Sequence, residues 1–242
     1  MSKKCLRFVF SLAIVAAFAL GSREATSAEG SASEVLPREW YVGKILFKSD
    51  RDGAEAIYVV NPDGSGLQPI TDPNVGYYYA EALQRDITSP DGRYRLYVRQ
   101  VGGDFQIWQQ DSVTGAIAYV TGGTPGADYD PAWAPDTRWV AYVSQVDGND
   151  EIHLFDRLTG SDTRLTHNSW EWDKHPSFSP DGSQIVFWSN REGGWKHIWL
   201  MSASGANQHN ISGWGTYNDW DPVWIKSTPS PPPAQEGGGP LG

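Results

Sequence analysis

The chain has 242 residues, 39% of them hydrophobic, with 12 Trp, 11 Tyr and 8 Phe, and a formal net charge of −10. An acidic balance of this size excludes nucleic acid and anionic lipid surfaces as partners, because both repel it. It favours cations, or a partner with a basic surface.

Residues 1–28 read as a secretory signal peptide. Lys3, Lys4 and Arg7 precede an apolar run from Phe8 to Leu20, and Thr26-Ser27-Ala28 supplies a small-residue cleavage site. The run is shorter than the roughly 20 residues a membrane span requires, so no transmembrane segment remains after cleavage. Cys5 is the only cysteine and leaves with the signal, so the exported chain has neither disulfide nor thiol chemistry. The first 28 residues hold four basic residues and one acidic one; without them 15 Lys and Arg face 28 Asp and Glu, a net charge of −13. A periplasmic or secreted location follows from this reading. Residues 29–39 are small and polar, a linker.

From residue 40 the chain repeats itself. KILFKS (Lys44 to Ser49) and IYVV (Ile57 to Val60) are β-branched and aromatic runs separated by a turn. The turn proline recurs as Pro90, Pro135 and Pro180, each 45 residues from the last, and a second proline recurs as Pro131, Pro176 and Pro222. IYVV returns as Ile107 to Gln110, Ile152 to Phe155 and Ile198 to Met201. Thr71, Thr121, Thr166 and Ser212 end the successive copies. The clearest copy, Asp173 to Ser212, holds four strands separated by three turns, the first turn being Pro180-Asp181-Gly182. Four strands in about 45 residues is the period of a propeller blade, which buries its faces only by stacking on its neighbours.

The predicted fold is all-β: a small closed propeller of four blades with four antiparallel strands each. The blades are Trp40 to Thr71 plus Asp219 to Lys226, Glu81 to Thr121, Asp128 to Thr166, and Asp173 to Ser212. The first copy lacks its own first strand and the C-terminal DWDPVWIK is a first strand with no blade after it, so the C-terminal strand is expected to complete the first blade. An arc whose ring is finished by dimerisation is the rival arrangement. The propeller spans residues 40–226, and residues 227–242, rich in Pro and Gly, are predicted to be disordered.

The segment SPDGSQIVFWSNREGGWKHIWLM, Ser179 to Met201, resembles the TolB-like, WD-repeat-like propeller repeat, whose hallmark is a Ser-Pro-Asp-Gly turn before an aromatic-aliphatic strand. The third copy has Ala134-Pro135-Asp136-Thr137 in that place. The second keeps Ser89-Pro90-Asp91-Gly92 but has Asp86-Ile87-Thr88 before it. TolB itself has six blades and an additional N-terminal domain. The resemblance implies a binding scaffold rather than an enzyme.

Candidate site residues stand where each first strand begins. Asp128-Tyr129-Asp130, Asp173-Lys174-His175 and Asp219-Trp220-Asp221 occupy equivalent positions; the second copy has Leu83 and Arg85 there. Two readings stand. Asp128, Asp130, Asp173, His175, Asp219 and Asp221 form an acidic channel mouth for calcium or a Lys/Arg-bearing peptide, or the Asp residues cap turns and tie blades together. Asp50-Arg51-Asp52-Gly53 lacks the later ligands of a calcium loop and reads as a hairpin turn. The histidines have no zinc spacing, and no G-x-S-x-G is present. Tyr77, Tyr78, Tyr79, Trp170, Trp172, Trp195 and Trp214 are aromatics of connecting loops, suited to a protein partner, to stacking on sugars, or to packing between blades. Two functions follow: a non-enzymatic envelope scaffold for a protein or peptide, and a carbohydrate-binding or carbohydrate-cleaving propeller.

Overall fold

The structure is a computed structural model and describes residues 34–121 and 126–233. The signal-peptide reading lies outside the described residues. After a short 3₁₀ helix, Arg38–Tyr41, come β1 (Ile45–Ser49), β2 (Ala56–Val60), β3 (Gln68–Pro69) and a helix, α1 (Val75–Asp86). Then follow β4 (Tyr94–Val101), β5 (Asp104–Asp111), β6 (Ile117–Tyr119), β7 (Asp128–Trp133), β8 (Trp139–Ser144), β9 (Glu151–Asp156) and β10 (Asp162–Arg164). The last five are β11 (Asp173–Phe178), β12 (Gln184–Ser189), β13 (His197–Ser202), β14 (His209–Asn210) and β15 (Asp219–Trp224).

These strands form four antiparallel sheets, three of four strands and one of three. The first sheet runs β15-β1-β2-β3, so the C-terminal strand does complete the N-terminal sheet: Ile45 faces Trp224 and Ser49 faces Asp219. The third sheet is β7 to β10 and the fourth is β11 to β14.

The sheets stack through alternating residues, as the two-residue period of a strand requires. Ile45 and Phe47 of β1 meet Val186, Trp188, Ile198 and Leu200 of the fourth sheet. Ile185 and Phe187, on the opposite face of β12, meet Ala141, Val143 and Ile152 of the third sheet. Trp133, Val140 and Tyr142 of the third sheet then cover Leu96 and Ile107 of the second. Gly205, at φ +84, lets one such contact close: a Cβ there would lie 2.9 Å from the Leu165 carbonyl of the neighbouring sheet.

The second sheet departs from the expectation of four strands in every blade. It holds only β4, β5 and β6, and the residues expected to start its inner strand lie in α1. The segment VGYYYAEALQRD buries Tyr78, Tyr79, Ala82 and Asp86, a spacing of three and four. Ala, Glu, Leu, Gln and Arg favour a helix, and the Asp-x-(Asp/His)-Pro pattern of the other inner strands is absent. Tyr78, Tyr79 and Ala82 pack on Leu46, Val59 and Val223, the face of the first sheet turned away from the fourth. Among the described residues no helix is long and apolar enough to cross a membrane.

Candidate functional site

The six candidate residues separate into two sets, each defined by strand position. Asp128, Asp173 and Asp219 begin β7, β11 and β15 and sit opposite Ser144, Ser189 and Ser49 in one common register. All three are buried. Arg51 donates to Asp219 over 2.7 Å and Arg191 to Asp173 over 2.8 Å, each guanidinium also donating to the Ser two positions before it. Ser212 donates to Asp219 over 2.6 Å and accepts from the Ile198 amide, which ties the end of the fourth sheet to β15. Burial raises the Asp128 and Asp173 carboxyls above their ordinary value, against the opposing effect of Ser144 and Thr121 on the first and of Arg191 and Ser189 on the second. Burial acts in the same direction on Asp219, but His197 at 3.6 Å and the bonds donated by Arg51 and Ser212 outweigh it and hold that carboxyl below its ordinary value. Asp219 in this way joins β15 to the end of the fourth sheet.

Asp130, His175 and Asp221 stand two residues further on and face one another. Each has a left-handed backbone, at φ 48, 53 and 50. Each lies in the interruption of pairing that separates Tyr129 from Ala132, Lys174 from Ser177, and Trp220 from Val223. The extra residue of a bulge is unpaired and is re-aimed by the local bend. Nε2 of His175 consequently lies 3.2 Å from Asp130 and 3.1 Å from Asp221. Both carboxylates therefore face the same ring nitrogen. Lys48 lies 3.6 Å from Asp221, and Lys174 is engaged 2.8 Å from Asp150. Burial raises the Asp130 carboxyl above its ordinary value; His175 and Lys174 oppose the shift, while Asp221 and Asp150 add to it. A cavity of about 250 Å³ opens beside the trio, lined by Asp130 and His175 together with Leu83, Gln84, Ile87 and Val98.

Leu83 and Arg85 do not join this group as strand residues. Leu83 packs between α1 and the first sheet, and Arg85 binds Glu81 at 2.6 Å. Tyr79 is the site contributor missed in the strand reading: its phenol donates to the Asp221 carbonyl over 2.6 Å and fixes the β15 bulge from the helix side. The helical spacing around it was the available signal. Tyr78 and Tyr79 are buried while Tyr77 is exposed, so the tyrosine run is a packed helix face rather than a loop patch. Trp170, Trp172, Trp195 and Trp214 are exposed. Asp50 accepts from the Gly53 amide in a turn and from Asn218, as a hairpin turn requires. Among the described residues no three His, Cys, Asp or Glu side chains are grouped to hold a metal ion. Residues 227–230, placed in the disordered tail by composition, are engaged: Pro229 accepts from Arg38, and Ser230 bonds Glu81.

Four antiparallel sheets stacked face to face, with a prolyl turn recurring every 45 residues and an equivalent inner strand in three of them, define a β-propeller repeat protein. Residues 87–228, more than half the chain, match the family model described as the TolB beta propeller domain, and the chain belongs to that family. Among solved structures it is similar to TolB from Acinetobacter baumannii, at 24% identity and a TM-score of 0.51, covering 76% of this chain and 43% of that one. It is also similar to a TolB-type protein from Agrobacterium tumefaciens, at 22% identity and a TM-score of 0.46, covering 70% of this chain and 61% of that one. The chain thus spans less than half the length of the Acinetobacter protein. No curated protein matches the sequence.

Proposed function

We propose that this chain is an exported, non-enzymatic propeller that binds a protein or peptide in the cell envelope, at the channel mouth formed by Asp130, His175 and Asp221. In this reading the four sheets are four blades of one closed ring, and α1, packed on the first sheet, takes up the sequence that would have formed the inner strand of the second blade. The observation that carries the reading is the convergence of three bulge residues, one from each of three inner strands, with Asp130 and His175 lining a cavity of about 250 Å³. Two carboxylates facing one imidazole nitrogen, with Lys48 at 3.6 Å from Asp221 only, leave acceptor capacity for a cationic group, and the strong negative charge of the chain steers a basic partner to it. Export rests on the N-terminal sequence pattern. The absence of an activated serine motif, and of an acid–base pair that stands out by its setting, keeps the reading with binding rather than turnover.

The test is capture from an envelope extract on the immobilised mature chain, compared with the Asp130→Asn/Asp221→Asn double variant. A saturable protein partner that the double variant no longer retains is the expected result. Equal retention by both proteins would remove the channel mouth from the reading.

A further inference from the structure

The second sheet has an unfilled inner-strand position, and we infer that it receives an extended, Lys- or Arg-bearing segment of the partner by strand addition along β4. This rests on the proposed channel-mouth reading and deepens it.

The inference starts from backbone directions. β4 is an edge strand, paired only with β5 along its length. Tyr94 accepts from the Ser89 amide and the Leu96 amide donates to Ile87, so even-numbered residues of β4 point toward the inner side. That short pairing centres on Thr88 and Arg95 and stops there, because the chain before Ile87 turns away into α1. By the two-residue period of a strand, Val98 and Gln100 direct their amides and carbonyls to the same side. There they meet no backbone partner among the described residues. Both residues are exposed, and Val98 lines the cavity beside Asp130 and His175.

The other sheets indicate what fills this position. Val143, Trp188 and Lys48, the repeat equivalents of Val98, pair with Tyr129, Lys174 and Trp220. The residue after each of those partners is Asp130, His175 or Asp221. A strand added opposite Val98 therefore presents its next side chain as the fourth member of the channel group. Facing two carboxylates and one imidazole, that member is best a cation. The chain's own residue at this repeat position is Arg85, which α1 carries off to Glu81. A second copy of this chain is the weaker occupant, because two chains of net charge −13 after signal removal repel each other. Strand addition supplies affinity through main-chain hydrogen bonds and specificity through alternate side chains.

The probe is a random linear-peptide phage library panned on the mature chain, followed by synthesis of an enriched peptide. The expected peptide carries Lys or Arg among strand-forming residues and slows amide exchange at Val98 and Gln100. Val98→Pro removes an inward amide and spares the bonds to β5, so it should weaken binding about tenfold. Main-chain N-methylation of the peptide should do the same, and it keeps the test valid if Val98→Pro melts early. Binding that survives Val98→Pro and N-methylation but falls in Asp130→Asn would overturn strand addition and leave the channel-mouth reading standing. No enriched peptide, or binding indifferent to every change, would overturn both. Protection of the same amides by concentration-dependent dimerisation alone would make a second copy the occupant and overturn the partner assignment.

Discussion

The Nε2 atom of His175 lies 3.1 Å from the Asp221 carboxylate, joining the bulge of β11 to the bulge of β15. The second carboxylate, Asp130 of β7, is 3.2 Å from the same nitrogen. One imidazole thus brings three inner strands together, and the raised carboxyl of Asp130 gives this group a measurable pH signature.

Asp130 is the residue to titrate. Its carboxyl is raised above the ordinary 3.8, chiefly by burial, so the folded chain binds more protons than the unfolded chain in the window above that value. Stability from this group is fully present below the unfolded pKa and is lost as pH rises through the folded one. Asn cannot ionise. Asp130→Asn should therefore gain stability relative to the parent as pH rises above the ordinary carboxylate value, read by thermal melting of both proteins from acid to neutral pH. A constant difference would mean that the carboxyl is not raised.

Arg51 and Asp219 form an ion pair at 2.7 Å whose side chains are 12% and 0% exposed. Removing the guanidinium leaves a buried carboxylate without its main donor. Arg51→Ala should cost about 3 kcal/mol, measured by urea unfolding. Arg51→Lys should recover only part of it, because an ammonium cannot span Asp219, Ser49 and the Ser212 carbonyl as the guanidinium does. A loss below about 1 kcal/mol, typical of an exposed pair, would show that the tie is not structural.

The β15–β1 pairing predicts the effect of a truncation. A chain ending at residue 218 loses the inner strand of the first sheet and uncovers the fourth sheet where Trp224 closes the shared core. It should aggregate or lose cooperative unfolding, as seen by light scattering and circular dichroism. A soluble monomer with an unchanged melting temperature would remove closure by this strand from the account.

Gly205 tests the contact between the third and fourth sheets. Gly205→Ala forces a Cβ to 2.9 Å from the Leu165 carbonyl at a backbone φ of +84. The expected loss is about 1–3 kcal/mol, against a change near zero for Gly115→Ala corrected for its own positive φ, since a Cβ there meets nothing.

The architecture was largely legible in the sequence because repetition amplifies it. Single strands such as Gln184 to Ser189 are ambiguous alone, but a proline kept at Pro90, Pro135 and Pro180 sets one register for the copies. The incomplete ends, lacking a first strand at Lys44 and carrying a surplus one at Asp219, already implied the pairing found between β1 and β15. The second sheet was misread for the same reason. The period was extended across Leu83 and Arg85, where local composition favours a helix, and local propensity with an apolar face on the first sheet prevailed.

The amino-acid sequence by itself determined the period, the four-sheet plan and the six candidate side chains. Only the tertiary structure divided those six into Asp128, Asp173 and Asp219, buried opposite the strand-end serines with Arg191 and Arg51 on the last two, and Asp130, His175 and Asp221, gathered around one imidazole nitrogen. The physical reason is the bulge. Two residues of separation along a regular strand would place both sets on one face, and the left-handed residue in each inner strand re-aims the second set, a rotation that depends on the partner strand and is not written in residue type.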